Sequence, residues 1–192
     1  ARLAARSKPV IVIKPGRHAE TARAVASHTG ALAGADLVYD AAFHRAGMLR
    51  VLELEELFDA AETVAKCRSP RGDRLAILTN GGGIGILATD ALIDRKGHLA
   101  ELSAETLARL DAVLPAAWSH GNPVDIVGDA DPARYVRALE ILLAGDEADA
   151  ILVMNCPTAL ASSAAVAEQV AAALDKRKQD GGRPKPVITT WL

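Results

Sequence analysis

The sequence predicts an α/β fold of mostly parallel sheets with flanking helices, and three observations carry that prediction. Short β-branched apolar runs, VIVI at 10–13, LAILT at 75–79, AILVM at 150–154 and VITT at 187–190, are bounded by Gly, Pro or Asn. Longer stretches rich in Ala, Leu and Glu lie between them, with apolar residues at helical spacing. The two kinds of segment alternate, as in βαβ units. Composition agrees with a globular domain: half of the 192 residues are hydrophobic, 24% are charged, and the net charge is −2. That balance lacks the basic excess of a nucleic-acid module, and no partner of that kind is expected.

In chain order, KPVIVIKPG supplies the first strand. Helices are predicted over 19–26, 36–46 and 54–66, with a short strand at 50–52 joining the last two. RSPRGDR at 68–74 combines charge, Pro and Gly with no apolar period, which is a linker signal. It divides the chain into residues 1–69 and 70–192. The second part opens with the LAILT strand, turns at NGGG and enters a helix over 84–96 that Gly97 can cap. Ser103 with Thr106 forms an imperfect capping box, and Pro115 closes that helix. GNPVDIVGDADP is a strand or loop dense in turn residues, and its Asp131 and Pro132 suit the N-cap and first position of a helix running to 144. After AILVM, the serines at 162 and 163 open an amphipathic helix whose last turn is basic, favourable for the dipole. The order β-α-α-β-α-β-α-β is an incomplete flavodoxin-like or Rossmann-like layout. The first element is already a buried strand and the last stops without a helix, so a piece of a larger polypeptide is expected.

No apolar run is long enough to span a bilayer, and ARLAARSKPV has no signal-peptide core behind it. The expected location is cytoplasmic, without membrane partners. Cys67 and Cys156 lie far apart, with no CxxC or Cys/His pairing, and read as packing residues. His18, His44, His98 and His120 form no HxxxH or HExxH pair, so no metal site is expected. Asp40, Glu53, Glu55, Glu56 and Asp59 read as solvated faces. A serine hydrolase would need a GxSxG elbow, which is missing.

Two features could carry chemistry. TNGGGIG at 79–85 follows a buried strand and opens a helix. Glycines there let a backbone approach an anion, and free amides at a helix start favour phosphate. The motif lacks the Lys-Ser/Thr of a P-loop and the spacing of GxGxxG, and a tight turn without ligand is its plain alternative. SHTGALAG at 27–34 places His28 in an open loop, where an imidazole can act as base or as nucleophile toward phosphorus. On spacing alone His28 reads more readily as a hydrogen-bonded loop residue.

Together these segments resemble a known family. KPVIVIKPGR…ASHTGALAGADLVYDAAFHRAGMLRVLELEELFDAAETV resembles the end of the second domain of NDP-forming acyl-CoA synthetases, and RLAILTNGGGIGILATDAL…GNPVDIVGDADP…AILVMNCP the flavodoxin-like domain that follows. The resemblance covers essentially the whole chain and implies two incomplete succinyl-CoA synthetase-like domains. It implies a relay in which acid, CoA and ATP are interconverted with acyl-CoA, ADP and phosphate through an acyl phosphate and a phosphohistidine. The family's histidine matches His28, with Ser27, Thr29 and Gly30 shaping its loop. A phosphate-binding helix start corresponds to Asn80, Gly81, Gly82, Gly83 and Ile84, where family members commonly have proline at position 84.

The resemblance also implies partners: a CoA-binding Rossmann domain and an ATP-grasp domain, in the same or another chain, and a parent enzyme using CoA, ATP/ADP and Mg²⁺. No cofactor is assigned to this chain itself, and alone it is expected to be inactive. A homo-oligomer, the acyl group and the choice of ADP or GDP stay open. Two rival readings are the synthetase-like regulatory region of a fused protein lysine acetyltransferase, whose members often lose the histidine, and a plain flavodoxin-like binding module.

Overall fold

The computed structural model of the chain describes residues 2–18, 21, 35–182 and 184–191. Ser27, His28, Thr29 and Gly30, and most of the helix predicted over 19–26, lie outside the described residues. The chain divides into two compact units, Ala1–Cys67 and Arg68–Leu192.

In the first unit, helix α1 (Arg2–Ser7) leads into strand β1 (Ile11–Ile13), and helix α2 (Asp36–Ala46), strand β2 (Leu49–Val51) and helix α3 (Leu54–Lys66) follow. The sequence reading did not anticipate α1. The two strands pair in parallel, with Ile11 beside Leu49 and Ile13 beside Val51. Gly47 ends α2 in the left-handed region, φ 72°, a conformation that costs glycine little. Arg50 on β2 reaches back to α2: one guanidinium nitrogen donates to both Asp36 oxygens at 2.7 and 2.8 Å, and another to Asp40 at 3.0 Å. Those hydrogen bonds hold the Asp36 carboxyl below its ordinary range. The Glu56 carboxylate accepts from the amides of Leu52 and Glu53, so two members of the acidic stretch settle the start of α3.

The second unit holds nearly all of the buried core. Strand β3 (Arg74–Thr79) is its centre, followed by helix α4 (Gly82–Asp94), strand β4 (His98–Leu99), helix α5 (Ala104–Asp111), strand β5 (Val124–Asp125), helix α6 (Pro132–Ala144), strand β6 (Ala150–Asn155), helix α7 (Ser163–Gln179) and strand β7 (Val187–Trp191). The parallel sheet runs β4-β3-β6-β7, with β5 also on β3. Ile77, Leu78, Ile151 and Val153 are fully buried, as both faces of a parallel sheet require. Each such side chain contributes about 1.5–3 kcal/mol. From the helices, Leu110, Tyr135, Leu139, Val166 and Val170 complete the core.

Strands β4 and β5 share one edge of β3, pairing with its first and last residues respectively. Asn122 fills the space between them. Its carbonyl accepts from the amide of Ile77 at 2.9 Å, and its amide donates to the carbonyls of Leu75 and Ala100 at 2.9 and 3.0 Å. One side chain thereby replaces a missing rung of main-chain bonds.

Several boundaries differ from the sequence reading, among them β2, which spans Leu49–Val51 rather than 50–52, and the ends of α4 and α5. Helix α4 starts at Gly82 rather than Ile84, because glycines in a first turn need only helical dihedrals and no side-chain packing. At its other end Lys96, not Gly97, takes the left-handed conformation, φ 62°. A Cβ on Gly97 would lie 2.3 Å from Leu92 Cδ1, so a side chain there would require Leu92 to shift. Helix α5 stops at Asp111, short of Pro115. Among the described residues no helix is long and apolar enough to cross a membrane.

Candidate phosphate-binding site

The candidate site lies at the carboxyl end of β3, where open α/β sheets place their ligands. Buried Thr79 ends the strand, and buried Asn80 follows. The Asn80 carboxamide bridges to the neighbouring loop: its nitrogen donates to the Cys156 carbonyl at 2.9 Å and its oxygen accepts from the Cys156 amide at 2.8 Å. The loop after β3 is thereby pinned to the loop after β6. The amide of Gly81 donates to Thr79 Oγ1 at 3.1 Å. Helix α4 then begins with no side-chain cap, and among the described residues the amides of Gly82, Gly83 and Ile84 have no acceptor. Three such donors at the positive end of a helix suit an anion, which makes this loop the candidate seat.

The glycines are explained by their neighbours. A Cβ on Gly81 would stand 3.3 Å from Cys156 Cβ, and one on Gly82 would stand 2.9 Å from Asp125 Oδ2. Nothing lies within 4 Å of a Cβ on Gly83, so that side of the seat is open. Gly85 lets α4 settle onto the sheet, because a Cβ there would meet Thr79 Cγ2 at 3.1 Å and Pro123 Cβ at 3.3 Å.

Residues from β5, α6 and β6 gather at the same end of the sheet. Asp125 pairs with Thr79 across the β5–β3 ladder, and its Oδ1 accepts from the Val127 amide at 3.0 Å. The Tyr135 hydroxyl donates to the Met154 carbonyl at 3.0 Å and accepts from Asn155 Nδ2 at 3.2 Å. Burial pushes this phenol up to about 12, only partly offset by hydrogen bonds from Asn155 and the Asn80 main chain, so it stays a neutral donor. Two buried oxygens here, Asn155 Oδ1 and Thr158 Oγ1, have no partner among the described residues. Gly128 lies between the Asn80 carbonyl and the Thr158 side chain, 3.8 and 4.0 Å from where its Cβ would be.

Of the residues singled out from the sequence, Asn80, Gly81, Gly82, Gly83 and Ile84 come together in this loop. His28 and its neighbours Ser27, Thr29 and Gly30 lie outside the described residues. Asp125, Tyr135, Asn155, Cys156 and Thr158 were not anticipated as site residues. A usable signal existed for some of them: NCPT directly follows a buried strand parallel to LAILT, so both carboxyl ends must converge. Among the described residues no group of three His, Cys, Asp or Glu could hold a metal.

A cavity of about 430 Å³ opens at the opposite end of the sheet. Three of the cations that line it are engaged by the protein: Arg74 pairs with Asp149 at 2.9 Å, Arg177 donates to the Leu143 carbonyl, and Lys185 donates to the carbonyls of Leu142 and Gly145. Arg177 and Lys185 thus close the C-terminal end of α6.

Residues 75–191 match the family described as Ligase-CoA domain, and residues 1–64 match the succinyl-CoA ligase like flavodoxin domain. The chain belongs to the CoA-ligase family. This CoA-ligase chain is 41% identical over 188 residues to the acetate–CoA ligase [ADP-forming] I subunit alpha of Pyrococcus furiosus, covering 98% of this chain and 40% of that protein. It is 38% identical over 172 residues to the 4-hydroxybutyrate–CoA ligase [ADP-forming] of Nitrosopumilus maritimus, covering 90% of this chain and 24% of that one. Among solved structures it superimposes with a TM-score of 0.88 and 34% identity on the dinucleotide forming acetyl-coenzyme A synthetase 1 of Ca. Korarchaeum cryptofilum, determined in complex with phosphate and ADP. That match covers 99% of this chain and 40% of the other. The chain therefore spans well under half the length of these relatives.

Proposed function

We propose that this chain is the phosphoryl-carrying part of an NDP-forming acyl-CoA synthetase, which interconverts acid, CoA and ATP with acyl-CoA, ADP and phosphate. The observation that carries the reading is the start of α4, where the amides of Gly82, Gly83 and Ile84 have no acceptor among the described residues. Phosphoryl transfer asks a protein mainly for position and for donors aimed at charge on the equatorial oxygens. Those amides supply such donors, and Asn80 fixes the loop that presents them. The solved relative that binds phosphate supports the same reading.

In this account His28 takes the phosphoryl group from an acyl phosphate or from ATP and passes it on, and Ser27, Thr29 and Gly30 shape its loop. The ATP-grasp and CoA-binding domains supply nucleotide, Mg²⁺ and CoA from other parts of the assembly, so the chain alone is expected not to turn over. The relatives described above, all named as ligases or synthetases of CoA esters, favour ligation over an acetyltransferase regulatory role.

Incubating the complete synthetase with labelled ATP and Mg²⁺ should give an acid-labile, base-stable phosphoenzyme. His28→Ala should abolish the label. A variant that keeps it would refute the assignment of His28.

A further inference from the structure

The seat at α4 carries a negative charge of its own. Asp125 Oδ2 would lie 2.9 Å from a Cβ on Gly82, the first residue of the helix, so the carboxylate rests against the backbone that offers the free amides. It is held there. Oδ1 accepts from the Val127 amide, the Asp125 amide donates to Ser119 Oγ at 2.9 Å, and the Ser119 amide donates to the Asp125 carbonyl at 3.2 Å. Val127 lies in the left-handed region, φ 72°, which a β-branched residue adopts only when its surroundings impose it. Among the described residues no cation pairs with Asp125.

Resting on the reading of this loop as a phosphoryl seat, we propose that Asp125 sets how weakly the seat holds its ligand. Two anions at one helix start repel each other, and in a half-buried site the repulsion is poorly screened. A group that must arrive and leave in each cycle gains from such opposition, because a seat of free amides alone would retain phosphate too long. Asp125 is thus a residue that tunes affinity, and Gly82 is glycine because the carboxylate needs the space.

The test is titration of the isotope-labelled chain with inorganic phosphate, following the amide resonances of Gly82, Gly83 and Ile84. Asp125→Asn keeps the shape and an oxygen for Val127 but removes the charge. It should tighten phosphate binding about tenfold or more. Asp94→Asn removes the same charge about 18 Å away at the other end of α4 and should leave affinity within about twofold. Structural damage at position 125 would weaken binding, so tightening is not an outcome that damage mimics. Unchanged or weaker binding in Asp125→Asn, with the three amides still responding, overturns the role of Asp125 and leaves the seat standing. Amides that respond in neither protein overturn both.

Discussion

The four helices that follow strands or turns in the second unit begin in two different ways. Helices α5, α6 and α7 start on side-chain caps: Ser103 accepts from the Thr106 amide at 3.1 Å, Asp131 from the Arg134 amide at 2.7 Å and Ser162 from the Ala165 amide at 3.3 Å. The start of α5 even has its own anion, since the Glu147 carboxylate accepts from the Ser103 amide at 3.2 Å and from the Ser103 and Thr106 hydroxyls at 2.6 Å. Helix α4 has no side-chain cap, and the carboxylate beside it, that of Asp125, accepts from the Val127 amide instead. Each of those caps meets one first-turn amide, whereas α4 has no cap; in the first unit α2, which follows Ala35, lacks a side-chain cap as well. Within the second unit the uncapped start lies at the carboxyl end of the central strand.

Several substitutions can break or sharpen this contrast. Asn80→Ala should have the largest effect, because it removes two hydrogen bonds of a buried side chain and leaves the half-buried Cys156 amide and carbonyl without these partners. A loss of about 2–4 kcal/mol in urea unfolding is expected, together with loss of phosphate binding. Gly83→Pro removes one donor at a first-turn position where proline is tolerated and where the space around the Cβ is empty. Phosphate affinity should fall about tenfold while the melting temperature changes little. If stability dropped instead, the open amides would be structural.

Asp131→Ala should do the reverse, lowering stability by about 1 kcal/mol with phosphate affinity unchanged. The smallest effect concerns acid. Burial pushes the Glu147 carboxyl up, but hydrogen bonds from Ser103 and Thr106 outweigh it and bring the group down from 4.5 to about 2. A group depressed in this way stabilises the fold above its unfolded value, and the contribution fades as pH falls from about 4.5 towards 2. After solvent screening this is on the order of 1 kcal/mol or less. Glu147→Gln should flatten that part of the stability profile in unfolding measured between pH 2 and 5.

Much of the second unit was legible because its strands are uninterrupted apolar runs and its caps are ordinary Ser and Asp. Asp131 and Pro132 open α6 where the turn chemistry placed them, and Ser162 opens α7. Short elements escaped: β4 is two residues long and too brief for any period, and α1, at six residues, spans under two turns. The bridging role of Asn122 could not be read either, because it depends on three groups far away in sequence. The glycine loop was visible as a local pattern, whereas Asp125 approaches it across a strand pairing that no local pattern encodes. His28 was singled out by sequence and lies outside the described residues, so its role rests on the labelling experiment.

The central claim is that the loop from Asn80 to Ile84 seats a phosphoryl group. Crystals of the chain soaked in phosphate test it most directly. The account expects a tetrahedral anion within about 3 Å of the amides of Gly82, Gly83 and Ile84, and none at the starts of α5, α6 and α7. An empty turn after β3, or anions gathered at the capped helices instead, would contradict it.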